Sequence, residues 1–251
     1  MKGERTSMTG GARVRRASTR ALTAAMALVL LVGCQLVDRS TNRPVTKVML
    51  FGDSIMWGAA PAIAKPFTDH GATVGYYGAA ATGPLWNDKL WRTWLAYFLD
   101  RDKPDLVIIE ALGAYPGPNL PVVGGGQAYV TPDGRTVEPD SQLMYDEWRK
   151  ACQELVDLAR SKGASVWWAV TPPALPEAAR YGPTIPDRIN RLRSLYATEL
   201  DVPTIDWGAA IAGEPVTSVY ADDGAHLVDH GNELVAAYTF DHVVRVLTPT
   251  P

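Results

Sequence analysis

Three side chains in this sequence have the types that nucleophilic acyl transfer requires. Ser54 stands in the stretch KVMLFGDSIMWG, directly after an apolar run. A serine becomes a nucleophile when a histidine accepts its proton and a carboxylate orients that histidine. Among the four histidines, His226 is the one placed with a carboxylate, because Asp223 precedes it by three residues in YADDGAHLVDHG. These residues are candidates for catalysis if the fold brings them together.

The Gly-Asp-Ser stretch also has a simpler interpretation. A strand that turns directly into a helix commonly uses Asp or Ser as the N-cap. On that interpretation Asp53 or Ser54 only begins a helix.

Alternating strand and helix patterns predict the elements that position the candidates. Five short apolar segments have the length of buried parallel strands, and they are KVMLFG, ATVGYYG, DLVIIEAL, SVWWAVT and VPTIDW. Helix-length stretches separate most of them, and the longest ends at Gly163, a typical residue after a helix. The alternation predicts a three-layer α/β/α domain at 46–251 with a five-strand parallel sheet.

An insertion at about 113–140 interrupts this alternation after the third predicted strand. The segments QAYVT and RTVE flank PDG there, which predicts a small β-hairpin. Ligands of open α/β sheets bind outside the C-terminal ends of the strands, where this insertion begins. It is therefore either a lid or wall of the site or a surface decoration.

The first 34 residues have the pattern of an export signal. Basic residues precede the apolar run ALTAAMALVLLVG, which is too short to span a bilayer. The ending LVGC resembles the lipobox of bacterial lipoproteins, whose cysteine becomes lipidated and N-terminal. We therefore expect a signal peptide at 1–33 and a lipidated Cys34 with a tether at 34–45. The protein would then be extracytoplasmic and anchored to the outer face of the cell membrane, with simple secretion as the alternative.

Composition and charge argue against several other functions. Hydrophobic residues make up 47% of the chain and charged residues 20%, as in a globular domain. The net charge of −3 offers no basic field to nucleic acid. The cysteines and histidines lack metal-site spacing, so we expect no metal and no other cofactor. Cys152 falls on an apolar helical face and is expected to be a buried, inert thiol.

The stretches FGDSIMWG and DDGAHLVDHGNELVA together resemble the SGNH hydrolase family, also called GDSL esterases. The resemblance spans nearly the whole predicted domain and implies a flavodoxin-like architecture. It implies that Ser54 is the nucleophile, His226 the base and Asp223 its orienting carboxylate, with Asp222 a solvated neighbour. It also accounts for the Gly-Asp-Ser turn, which presents the serine at the end of the first strand.

The resemblance further implies three donors to an oxyanion hole. They are the backbone N–H of Ser54, a glycine after the second strand and an asparagine after the third. Gly83 is the expected glycine, with Gly78 as the alternative. The family's Gly-x-Asn reads LGAY here, so Tyr115 stands where the asparagine is expected. Its hydroxyl could donate a hydrogen bond, and Asn119 is the alternative donor.

These features together predict an extracytoplasmic serine esterase that works through an acyl-enzyme. It would remove small acyl groups, such as acetyl, from a cell-envelope glycan or glycolipid. Its partners would be an acylated carbohydrate or lipid ester and, through the anchor, the membrane. Trp57 and Trp86 either face a sugar ring or pack in the core, and packing is expected for Trp148, Trp167 and Trp168. An O-acyltransferase on the same scaffold and a non-catalytic glycan-binding protein are the alternatives.

Overall fold

The computed structural model describes residues 37–38, 43–113 and 129–247. Within these ranges five strands form one sheet, and every neighbouring pair is parallel. The strands are β1 (Lys47–Gly52), β2 (Thr73–Gly78), β3 (Leu106–Glu110), β4 (Ser165–Val170) and β5 (Thr204–Asp206). Their order across the sheet is β2-β1-β3-β4-β5, which is the flavodoxin-like order. The predicted α/β fold is confirmed, and each of the five apolar segments contains a strand.

Helices cover both faces of the sheet. The seven α-helices of the described residues are α1 (Ser54–Asp69), α2 (Asp88–Asp102), α3 (Gln142–Ser161), α4 (Ile185–Glu199), α5 (Trp207–Ala210), α6 (Val216–Val219) and α7 (Asp229–Leu247). A 3₁₀ helix also spans Pro176–Tyr181. Along β1 the side chains alternate, with Met49 and Phe51 packed on the α2–α3–α4 side and Val48 and Leu50 on the α1–α7 side. Both faces of the strand are therefore buried, which explains its continuous apolar sequence.

Helix α1 begins at Ser54, two residues after the end of β1. The side chain of Asp53 caps it by accepting a hydrogen bond from the N–H of Ile55 at 3.0 Å. The capping interpretation of Gly-Asp-Ser is thus correct for Asp53, and it places Ser54 in the first turn.

The described end of the insertion, residues 129–140, forms a smaller hairpin than the sequence predicts. Val130 and Thr136 make a single antiparallel bridge. Asp140 forms an ion pair with the buried Arg188 of α4. Two hydrogen bonds join these two side chains, and the one from Nη2 to Oδ2 is 2.9 Å long. This bidentate pair attaches the end of the insertion to α4.

The N-terminal predictions fall mostly outside the described residues, which include neither 1–33 nor Cys34. Within the expected tether, Val37–Asp38 pairs antiparallel with Arg43–Pro44. In the part of the chain that the structure describes, no helix combines the length and the apolar character needed to cross a membrane.

The packing predictions for the central aromatic residues and for the cysteine are confirmed. Trp148 and Trp168 are fully buried and Trp167 is 7% exposed. The indole N–H of Trp148 donates to the hydroxyl of Tyr196 at 2.7 Å. Cys152 is also buried, and burial raises the pKa of its thiol well above the ordinary value. A buried thiol that stays protonated is a poor nucleophile.

Candidate active site

The junction of β1 and α1 places the candidate nucleophile. β1 ends at Gly52, Asp53 caps the helix and Ser54 is the first residue of α1. A side chain at Gly52 would not fit, because its Cβ would lie 2.5 Å from the Cβ of Met56 and 2.8 Å from the carbonyl oxygen of Glu110. Glycine therefore allows β1 to turn into α1 directly beside β3. Ser54 comes to lie at the C-terminal edge of the sheet.

The loop between α6 and α7 brings His226 to Ser54. The Nε2 atom of His226 lies 2.8 Å from the Oγ of Ser54, and its Nδ1 atom lies 2.6 Å from the Oδ2 of Asp223. Because an ionised carboxylate only accepts hydrogen bonds, Nδ1 carries the proton and Nε2 accepts from the serine hydroxyl. This is the tautomer in which a histidine can remove a serine proton. Asp222, by contrast, is exposed.

Hydrogen bonds keep Asp223 ionised. Its Oδ1 accepts from the backbone N–H groups of Ala225 and His226, each at 2.9 Å, and its Oδ2 also accepts from the hydroxyl of Tyr181 at 2.9 Å. Burial alone would raise the pKa of Asp223, but these hydrogen bonds lower it to about 2. Tyr181 ends the 3₁₀ helix, 42 residues before Asp223, and no sequence motif marks it.

Two buried carboxyl groups adjoin the start of α1. Besides capping α1, Asp53 accepts a hydrogen bond through Oδ2 from the N–H of Leu112 at 2.7 Å. Glu110 accepts one through Oε2 from the N–H of Met56 at 3.0 Å. Burial raises the pKa of Asp53 to about 6 and the pKa of Glu110 well above its ordinary value. The sequence prediction assigned Glu110 no role, although a charged residue inside an apolar strand is itself a signal.

A cavity of about 220 Å³ opens beside Ser54 and His226. Its other lining residues are Asp53, Ala80, Ala81, Leu112, Gly113, Tyr181, Ile185, Ile189 and Ala225. Most of these side chains are apolar, as in sites that bind hydrocarbon groups. A larger cavity of about 480 Å³ lies between α2, α3 and the hairpin, but neither Ser54 nor His226 lines it. The smaller cavity is therefore the candidate site.

The loop after β2 does not bring the expected glycines to this cavity. The N–H of Gly83 donates to the Oδ1 of Asn87 at 3.2 Å, because both residues belong to the turn that precedes α2. Gly78 ends β2, where a Cβ would lie 2.7 Å from a backbone oxygen of β1. Ala80 and Ala81 line the cavity instead, and Ala81 has a φ of +56°. This positive φ of a non-glycine residue is typical of functional loops.

Other residues expected near the site do not line the cavity or lie outside the described ranges. Tyr115 and Asn119 belong to residues 114–128, so their part in an oxyanion hole stays a prediction. Trp57 is 57% exposed and contacts Tyr76 edge to face, with ring centroids 6.1 Å apart. Trp86 is half-buried and packs against the core. No cluster of three His, Cys, Asp or Glu side chains suited to a metal ion occurs among the described residues.

No protein-family model matches this sequence, and no curated protein matches it either. Solved structures do match its fold. The lipase/acylhydrolase from Enterococcus faecalis is 17% identical, covers 82% of this chain and 98% of its own, and has a TM-score of 0.55. A GDSL-like lipase from Bacteroides thetaiotaomicron is 18% identical, covers 92% of this chain and 98% of its own, and also has a TM-score of 0.55. The fold that the resemblance implied is therefore confirmed, because the chain has the α/β fold of these lipase and acylhydrolase structures.

Proposed function

We propose that the protein is a serine ester hydrolase that works through an acyl-enzyme. The observation that carries this proposal is the continuous hydrogen-bonded series from Asp223 through His226 to Ser54. In the first step the Oγ of Ser54 bonds to the acyl carbonyl carbon while its proton passes to Nε2 of His226. The histidine then gives this proton to the departing alcohol oxygen, and the acyl group stays on the serine as an ester.

Water completes the cycle by the same route. Its oxygen attacks the acyl-enzyme carbonyl as His226 takes one of its protons. The histidine returns that proton to the Oγ of Ser54 when the carbon–oxygen bond breaks, and the free acid leaves. The ionised Asp223 stabilises the imidazolium that forms in both halves of the reaction.

Backbone N–H groups supply the stabilisation of the oxyanion. The N–H of Ser54 lies in the first turn of α1, where the helix carries a partial positive charge. We assign a second donor to the loop of Ala80 and Ala81, which lines the cavity. The N–H groups of Ser54, Ala80 and Ala81 donate to no described residue. They are therefore available to a developing oxyanion.

The cavity indicates the kind of acyl group. A dry cavity of about 150 Å³ accommodates benzene, so about 220 Å³ has room for roughly eight carbon atoms. Ile185 and Ile189 provide its hydrocarbon wall. An acetyl group would leave most of this volume empty, and a short to medium aliphatic acyl group would fill it.

A carbohydrate or glycolipid is the alcohol that we propose for the ester. Trp57 lies on α1 three residues after Ser54, a spacing that places two side chains on the same helix face. Its ring and that of Tyr76 are both exposed, at 57% and 41%. Exposed aromatic rings offer an apolar face together with a polar edge, which suits the face of a sugar. The pair supports a sugar as the leaving group or, in an O-acyltransferase, as the acceptor.

We also propose that the protein acts outside the cytoplasm, attached to the membrane through a lipidated Cys34. The support is the basic segment, the short apolar run and the LVGC ending of the sequence.

A fluorophosphonate probe tests the proposed hydrolase, because it bonds covalently to activated serines. We expect the probe to label the wild-type protein at Ser54 and to leave Ser54→Ala unlabelled, as read by mass spectrometry of the modified peptide. We also expect hydrolysis of p-nitrophenyl esters. A folded wild-type protein that shows neither reaction would contradict the proposal and favour a non-catalytic glycan-binding protein. Acylated sugar formed in place of free acid, when an acceptor sugar is added, would favour the O-acyltransferase.

A further inference from the structure

The two carboxyl groups of Asp53 and Glu110 lie together in the interior. Glu110 is completely buried and Asp53 is 2% exposed. Asp53 accepts a hydrogen bond from the N–H of Ile55 and Glu110 accepts one from the N–H of Met56, so both carboxyl groups lie against the first turn of α1. Besides burial, the charge of Asp53 raises the pKa of Glu110, because two ionised carboxylates in a buried site without water to screen them would repel each other.

The hydrogen bonds of this pair connect three parts of the site. Asp53 accepts from Ile55 at the start of α1 and from Leu112, which follows β3. Glu110, the last residue of β3, accepts from Met56 of α1. The pair therefore joins the turn that carries Ser54 to the segment Leu112–Gly113, which lines the cavity.

The available partners place a proton on Glu110. Both oxygens of Asp53 accept backbone N–H groups, so the Asp53 carboxyl group has no need of a proton to satisfy them. The Oε1 atom of Glu110 is buried and faces no donor among the described residues. Within the same ranges neither group pairs with a lysine or an arginine. A buried acid in this situation satisfies its second oxygen by donating a hydrogen bond.

The surrounding titratable groups favour the same arrangement. His226 faces Asp53 from the loop before α7, and a positive charge on His226 stabilises a negative charge on Asp53. Tyr196 faces both carboxyl groups from α4, and burial raises its pKa well above the ordinary value, so it is neutral. Burial, together with the charge of Asp53, raises the pKa of Glu110.

We propose that Glu110 is a positioning residue that stays protonated at neutral pH and donates a hydrogen bond from its carboxyl group to the Asp53 carboxylate. The acid thereby holds Asp53 in the orientation that fixes Ser54 and the Leu112–Gly113 segment relative to each other. Glu110 does not touch the substrate. The inference rests on the proposed hydrolase for its effect on rate, but the position of the proton can be measured without any activity.

Matched substitutions distinguish a Glu110 that positions Asp53 through a hydrogen bond from a Glu110 that only fills space in the interior. Glu110→Leu removes the donor, and we expect kcat for a p-nitrophenyl ester to fall about tenfold or more with little change in KM. Glu110→Gln restores an N–H donor and an acceptor for Met56, so it should recover kcat to within about threefold of the wild type. Asp53→Asn cannot accept from both Ile55 and Leu112, and we expect a loss of about a hundredfold. Glu233→Gln on the exposed face of α7 is the surface control.

The pH dependence and the infrared spectrum locate the proton. We expect kcat of the wild type to fall at alkaline pH as Glu110 ionises, and Glu110→Gln to keep its alkaline plateau. At neutral pH the wild type should show the carbonyl stretch of a buried carboxylic acid. Loss of this band in Glu110→Gln supports the inference. If Glu110→Gln fails to fold, persistence of the band in Asp53→Asn supports it instead.

The opposite results overturn the inference. One is the absence of the band in the wild type. Another is a band that disappears in Asp53→Asn but remains in Glu110→Gln. The third is a greater loss of kcat in Glu110→Gln than in Asp53→Asn. A wild-type protein that shows the band but resists the fluorophosphonate probe refutes the hydrolase and leaves the position of the proton supported.

Discussion

The Nε2 atom of His226 lies 2.8 Å from the Oγ of Ser54, although 172 residues separate the two in the chain. Ser54 follows the first strand of the sheet, and His226 lies in the loop that precedes the last helix. Parallel strands with helical crossovers place the loops after their C-terminal ends on one edge. The contact therefore depends on the whole fold, and the two residues should act as a unit.

Ser54→Ala and His226→Ala should each lower kcat for p-nitrophenyl ester hydrolysis by at least about 10⁴-fold. The two losses should not add in the double variant, because each change disables the same proton transfer. Initial rates of the single and double variants check this, with circular dichroism to confirm folding.

Asp222→Asn is the control for these variants, because Asp222 lies in the same loop as His226 and is exposed. It should stay close to the wild-type rate. Full activity of Ser54→Ala would end the esterase hypothesis.

The sequence predicted the sheet better than it predicted the surroundings of the candidate catalytic residues. Continuous apolar segments define buried parallel strands, and each of the five predicted segments contains one of the observed strands. Such a segment consists of consecutive residues, so it can be recognised without knowing the rest of the fold. The partners of Ser54 and His226 could be inferred only because both lie in recognisable motifs.

The missed residues have partners that are distant in sequence and follow no spacing rule. Tyr181 reaches Asp223 from a short 3₁₀ helix, and its role follows from the path of an irregular loop. Gly83 was expected as an oxyanion donor, but the start of α2 uses its N–H through Asn87. Glu110 was assigned only to a strand, since its contact with the start of α1 appears once β1 and β3 lie side by side.

Asp223→Asn should lower kcat about 10⁴-fold. The imidazolium of His226 loses its negative partner, and no carboxylate holds the histidine in the tautomer with the proton on Nδ1. Tyr181→Phe removes only one of the hydrogen bonds to Asp223, so we expect a loss of roughly tenfold or less. Measuring kcat of both variants on the same ester checks that Asp223→Asn has the larger effect. A Tyr181→Phe variant as impaired as Asp223→Asn would instead show that the hydroxyl has a direct catalytic role.

Glu110→Gln should become progressively more stable than the wild type as the pH rises. The pKa of Glu110 is raised in the folded state, so above the ordinary pKa of glutamate the wild type must take up a proton on folding. The stability difference should therefore grow by up to about 1.4 kcal/mol per pH unit and should be small near pH 4, where the unfolded chain is protonated too. Urea unfolding of both proteins between pH 4 and pH 8 measures it. A difference that stays constant over this range would mean that Glu110 is ionised in the folded protein.

Cys34→Ser tests the proposed anchor. If the cysteine is lipidated, the variant should no longer fractionate with membranes as a cleaved protein, because the attachment site is lost. We expect a secreted or uncleaved form, detected by fractionation and by the mass of the N-terminal peptide. An unchanged, cleaved and membrane-bound variant would rule out lipidation at this position.

The last prediction concerns the acyl group. Because the cavity beside Ser54 has room for roughly eight carbon atoms, kcat/KM of the wild type should rise from p-nitrophenyl acetate toward the hexanoate and octanoate esters. Ile185→Phe narrows the cavity and should lower kcat/KM for the octanoate ester about tenfold or more while affecting the acetate ester less. Ile185→Ala should move the optimum to longer chains, and Val216→Phe on the exposed side of α6 should leave the profile in place. The acyl chain does not occupy this cavity if p-nitrophenyl acetate is the best substrate of the wild type and both Ile185 variants rank the esters in the same order.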